Sequence, residues 1–135
     1  MDSNIASQRY SAHLEAYFSR PALNMGQDIR GEAGSERQGA RICFAADVRD
    51  NCMHNVGFRA FACPHIIAGC HRVAEQLEGA RIEALAQVPL ENLKAEFDIP
   101  IEKAGKLLIL KDAIDACYAD YQVRLASSRG FPTRQ

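Results

Sequence analysis

Apolar positions in this chain recur first at helical spacing, then at every second residue, then at helical spacing again. Ile5 to Phe18 set Ala6, Tyr10, Leu14, Tyr17 and Phe18 near one stripe, which predicts an amphipathic helix stopped by Pro21. Asn24 to Gly39 hold Gly26, Gly31, Gly34 and Gly39 and read as loop, with a short strand at Asp28 to Arg30. Arg41 to Val48 puts Ile42, Phe44 and Ala46 on one face, and Val56 to Ala62 does the same with Val56, Phe58, Ala60 and Ala62. Asp50-Asn51 marks the turn between them and predicts an antiparallel hairpin.

Helical spacing returns at Pro64 to Glu78, where Ile66, Ile67, Cys70, Val73, Ala74 and Leu77 recur until Gly79 ends the run. Proline suits a first helical position because its missing N–H has no partner there. Shorter helical pieces follow at Ile82 to Gln87 and Leu90 to Glu96. A long helix over Ile101 to Leu125 carries Leu107, Leu110, Ile114, Cys117 and Tyr121 on one stripe. Ser127 to Gln135 reads as a flexible tail. The order predicts an α+β fold, a small antiparallel three-stranded sheet with helices packed on one face.

Composition narrows the function classes. A length of 135 residues predicts a single domain over 1–135, and 47% hydrophobic with 24% charged residues argues against disorder. A net charge of -1 offers no surplus for neutralising phosphates, so a nucleic-acid binder is not expected. The longest uncharged stretch, Ala60 to Cys70, is far short of the ~20 apolar residues that span a bilayer, so no membrane partner is expected. Met1-Asp2-Ser3-Asn4 does not read as a signal peptide, which points to the cytoplasm, where thiols stay reduced. Five cysteines without a CxxC spacing disfavour a disulfide framework and a zinc knuckle.

Cys63 is the most informative position. It closes a strand and precedes a helix opened by Pro64, so it belongs at the helix N-cap, where unpaired N–H groups and the macrodipole favour an anion. A thiol so placed tends toward thiolate, hence metal ligand or sulfur nucleophile. The competing reading is a small buried residue that ends a strand. His65 points away around the helix, and Cys70 lies roughly 10 Å along the axis, too far to share an ion. Cys52 and His54 form a Cys-x-His pair at a turn expected to be solvated. Cys43 and Cys117 read as packing residues, and His13 and His71 as polar-face histidines. No glycine motif for a nucleotide follows a strand.

The chain resembles the NifU/IscU-type iron–sulfur cluster scaffold family from Tyr10 to about Tyr121. Tyr10-Ser11-x-His13-Leu14-x-x-Tyr17-Phe18-x-x-Pro21 resembles the family's opening run. Phe58-Arg59-Ala60-Phe61-Ala62-Cys63 resembles its strand end F-K-T-Y-G-C, with Ile67-Ala68 and Glu75-x-x-x-Gly79 at the family's spacing in the next helix. Ile99-Pro100-Ile101-Glu102-Lys103 is similar to L-P-P-V-K, and Asp112-Ala113-Ile114, Ala116 and Asp120-Tyr121 match the last helix. The resemblance implies a SufE/NifU-like fold and a role in iron–sulfur assembly rather than catalysis.

The family holds its cluster with three cysteines, an aspartate beside the first and a histidine before the third. Carried over by position, the second cysteine is Cys63. The first falls on Gln38, the aspartate on Ala40, and the histidine–cysteine pair on Gly105-Lys106. The second proline of L-P-P-V-K, tied in the family to chaperone recognition, is Ile101 here. A [2Fe–2S] cluster takes four ligands, mostly thiolates, so one thiolate cannot chelate it.

The resemblance therefore implies Cys63 as the one metal or cluster contact, with iron or a [2Fe–2S] cluster held weakly or transiently. Three functions stay open. The first is a divergent scaffold completed by a partner, a second copy in a homodimer, or glutathione. The second is a single-cysteine persulfide acceptor serving a cysteine desulfurase, similar to SufE-type acceptors, with Lys106 beside the thiolate. The third is a binding module that kept the fold and lost the chemistry. The alignment predicts that Cys63, Gln38, Ala40 and Lys106 converge in one shallow exposed pocket.

Overall fold

The computed structural model describes residues 11–21 and 23–127. Helix α1 (Ala12–Phe18) is capped by Ser11, whose Oγ accepts the Leu14 N–H at 3.1 Å. Residues 5–10 of the expected first helix, and the expected tail from residue 128 onward, lie outside the described residues. Strands β1 (Ile29–Ser35), β2 (Ala40–Arg49) and β3 (Cys52–Phe61) form one antiparallel sheet in the order β1-β2-β3. Helix α2 (Pro64–Leu77), a 3-10 turn (Ile82–Gln87), α3 (Leu90–Glu96) and the long α4 (Ile101–Ala126) follow. Among the described residues no helix is long and apolar enough to cross a membrane.

The expected loop over Asn24 to Gly39 contains a full strand, Ile29–Ser35, in place of the short one expected at Asp28 to Arg30. β1 pairs with β2 from Ile29↔Ala46 to Ser35↔Ala40, with Asn24 to Asp28 leading irregularly into it and Glu36 to Gly39 forming the turn after it. Its glycines hid it, because glycine weakens a strand's local signal. Tertiary packing supplies what propensity lacks: Ile29, Gly31 and Ala33 face the helices, and α4 lies against Gly31 so closely that a Cβ there would overlap backbone atoms of Cys117 and Ala113.

The β2–β3 hairpin is longer than expected. Asp50 and Asn51, at φ 54 and 62, form a tight two-residue turn between Arg49 and Cys52. Cys52 and His54 therefore lie half-buried within β3, not in a solvated turn. The ladder slips between Ala45 and Asp47, where Asn55 at φ 53 is the extra residue of a bulge. Glu78, just past α2, satisfies the freed amides: its carboxylate accepts Asn55 N–H at 3.1 Å and Val56 N–H at 2.9 Å. Charge-assisted bonds of this kind contribute about 1.5–3 kcal/mol each. Glu78→Ala should accordingly lower unfolding free energy by about 2 kcal/mol in urea titration, and a loss below about 0.5 kcal/mol would contradict that role.

Strand alternation then sets two faces. Ile42, Phe44 and Ala46 point inward and are buried against Ile66, Val73, Leu110 and Ile114 from α2 and α4. The opposite face bears the rows Gly34–Arg41–Phe61, Glu32–Cys43–Arg59 and Arg30–Ala45–Gly57, read across β1, β2 and β3.

Candidate functional site

Cys63 follows the end of β3, where Phe61 pairs with Arg41. It is the N-cap of α2 in extended backbone (φ -73, ψ 163), with Pro64 in the first turn. Its carbonyl accepts the Ile66 and Ile67 amides, both at 3.0 Å. Its side chain makes no capping hydrogen bond, and the residue is half-buried against the edge of the core, so the sulfur is not spent on the cap.

The turn between β1 and β2 closes the same end of the sheet. Gln38 donates its N–H to the Ser35 carbonyl at 3.1 Å and to Ser35 Oγ at 3.2 Å, and its Oε1 lies 3.2 Å from that hydroxyl. Gly39 adopts φ 85. A Cβ placed there would stand 3.0 Å from Lys106 Cε and Nζ, so the Lys106 ammonium lies over this turn from the first third of α4. Gly105, its neighbour, faces open space. The Gln38-Gly39 turn and Lys106 thus meet, at the end of the sheet from which Cys63 emerges. Ala40 is fully buried and lines no exposed surface. Two surface grooves lie instead on the helix-free face and along the β1 edge, and neither includes Cys63, Gln38, Ala40, Gly105 or Lys106.

These donors do not fit a cluster. Gln38 offers a neutral amide engaged with Ser35, Ala40 and Gly105 offer no ligand atom, and Lys106 brings a cation. Among the described residues no three His, Cys, Asp or Glu side chains are grouped to hold a metal ion.

The other cysteines divide by burial. Cys70 and Cys117 are sealed in the core, and burial pushes both thiols up, Cys117 to about 12, which leaves them protonated and inert. Cys43 is buried on the helix-free side of the sheet.

His71 differs from expectation. It is 4% exposed, its ring meets Phe58 edge-on at 4.7 Å, and it hydrogen-bonds the Arg20 backbone beyond α1. The helical spacing missed this because α1 covers the face that α2 would otherwise show to water. His65 is 6% exposed, in the first turn of α2 and near Lys103 and Glu102 of α4. His13 instead stays exposed, bonded to Glu96 at 2.7 Å.

Burial first, and then Lys103 for His65 and Arg20 for His71, lowers both ring pKa values below the ordinary 6.5. The unfolded chain therefore binds protons that the native state refuses. Stability is full above about pH 6.5 and falls as pH drops from there towards the lowered native values, by up to about 1.4 kcal/mol per unit for each ring. Urea titrations at pH 7.5 and 5.5 should show this loss, and His71→Leu should flatten it; a pH-independent midpoint would refute the assignment.

The family model described as "NifU-like N terminal domain" matches residues 14–128. The chain is 29% identical over 72 residues to "Iron sulfur cluster assembly protein 1, mitochondrial" of Kluyveromyces lactis, a match covering 53% of this chain and 40% of that protein. It shares its fold with a crystal structure from Fervidobacterium islandicum AW-1, described as "Putative iron-sulfur cluster assembly scaffold protein for SUF system". There the TM-score is 0.63 at 11% identity, over 82% of this chain and 97% of the other. With the family match spanning most of its length, the chain belongs to the NifU-like N-terminal domain family.

Proposed function

We propose that this protein serves iron–sulfur cluster assembly in the cytoplasm through one thiol, Cys63, without catalysing a reaction of its own. Iron or a cluster is cargo here, held only when a partner supplies the missing ligands: another assembly protein or a small thiol such as glutathione. The observation that carries this reading is the half-buried Cys63 thiol, unused by the cap, at a helix N-terminus, in a chain whose positions 38, 40, 105 and 106 offer no ligand. A [2Fe–2S] cluster normally requires four protein ligands.

The test is anaerobic reconstitution with iron and sulfide, with and without glutathione. Alone, the protein should bind iron far below stoichiometry. With glutathione it should develop a visible absorption that Cys63→Ser lacks. Full iron loading without any added thiol, or equal absorption in the Cys63→Ser variant, would sink the proposal.

A second reading rests on Lys106. An ammonium over the Gly39 turn suits a metal cation poorly and is compatible with a sulfur acceptor for a cysteine desulfurase. The Cys63 thiolate would attack the outer sulfur of the donor's persulfide, forming a new S–S bond as the donor's own thiolate leaves, with no net oxidation. Incubation with a desulfurase and cysteine should add the mass of one sulfur to Cys63. An unmodified Cys63 under conditions that load a known acceptor excludes it.

A further inference from the structure

The helix-free face of the sheet carries a feature that the Cys63 site does not use. A groove of about 580 Å³ runs over Cys43 and Ala45, with long side chains of β1 and β3 as its walls and Met25 at one end. This volume is in the range of small-molecule sites. The register explains the shape: β2 contributes small residues in two successive outward rows, while the flanking strands contribute Glu32 and Arg59 to one and Arg30 to the other.

The charges are unevenly spent. Three arginines line the groove against two glutamates, in a chain whose net charge is -1. Arg41 takes Glu32 at 2.7 Å, which spends one of the two carboxylates. Arg30 and Arg59 have no ion pair among the described residues. They stand on opposite walls, two strands apart and one outward row offset, or roughly 12 Å between Cα positions at ~4.8 Å per strand spacing and ~3.4 Å per residue. Both arginines line the groove, with Cys43 and Ala45 as an apolar floor between their strands. Each guanidinium can take a carboxylate or phosphate through two parallel hydrogen bonds.

We propose that this groove binds a small molecule with two anionic groups, a dicarboxylate or a diphosphate, one group on Arg30 and the other on Arg59, its middle resting on Cys43 and Ala45. The site is independent of Cys63 and of any role in cluster assembly.

The test is titration of the full chain with succinate, pyrophosphate, acetate and monophosphate at constant ionic strength, followed by the amide resonances of Cys43, Ala45 and Arg59. At least one dianion should saturate these signals, about tenfold or more tighter than its monoanion. Whether succinate or pyrophosphate wins identifies the anionic group. Arg30→Gln and Arg59→Gln should each reduce dianion binding to the monoanion level, while Arg81→Gln, outside the groove, leaves it unchanged. Circular dichroism confirms that the exposed substitutions leave the fold intact. No saturation up to roughly 10 mM, equal affinity for monoanion and dianion, or a Kd indifferent to both groove substitutions would overturn the proposal.

Discussion

Replacing Gly31 by alanine is expected to destabilise the protein by about 3 kcal/mol, although it adds one methyl group. The reason is geometric. Gly31 lies in β1 on the helix side, and the Cβ would overlap the backbone nitrogen of Cys117, the carbonyl oxygen of Ala113 and the carbonyl carbon of Ala116. All three are main-chain atoms of α4, so no rotamer change can relieve the contact. The helix must move away from the sheet, opening the layer in which Leu110, Ala113 and Ile114 are fully buried. Gly105→Ala is the matched control in the same helix. Nothing lies within 4 Å of a Cβ there, and alanine in a helix interior is better than glycine by roughly 0.5–1 kcal/mol, so this change should stabilise. Urea unfolding of both variants reads the difference. A neutral Gly31→Ala would mean that α4 does not rest on β1 as described.

The second large effect is a gain of function. The triple substitution Gln38→Cys, Gly105→His and Lys106→Cys is expected to convert a protein that loads little iron into one that holds roughly two iron atoms per chain, the content of one [2Fe–2S] cluster. With Cys63 it completes four ligands of the kinds expected from the family resemblance. Space favours the change at each position: Gln38 is exposed in its turn, Gly105 faces open space, and the Lys106 side chain already reaches Gly39. Ala40 is left alone because it is fully buried, and a carboxylate there would lose its hydration without a partner. Iron and sulfide analysis with visible absorption after anaerobic reconstitution measures the outcome. If the triple variant folds and still binds no cluster, the sheet end holding Gln38, Cys63 and Lys106 is not arranged as a ligand cradle, and the Cys63-centred function loses its support.

Much of the fold was legible because periodicity reports burial directly. The inward set Ile42, Phe44 and Ala46, the apolar stripe of α4 and the Cys63-Pro64 junction all follow from local spacing. β1 was not, since its inward face is partly glycine and carries no hydrophobic signal; its pairing with β2 and the weight of α4 make it a strand. His71 was misread for a related reason: α1 and the Arg20 backbone cover a side of α2 that helical spacing leaves polar. Neither Arg30 nor Arg59 drew notice, since an arginine alternating outward on a strand looks like an ordinary solvated face.

By itself, the amino-acid sequence determined the order of elements, the core faces and the place of Cys63 at a strand-to-helix junction, because those depend on residues near one another along the chain. Only the tertiary structure decided that the Lys106 ammonium lies over the Gly39 turn, that Ala40 is sealed away, and that Arg30 and Arg59 line one groove from the two outer strands. Those relations join residues that are tens of positions apart, and strand register and helix docking set them through backbone contacts that no local pattern records.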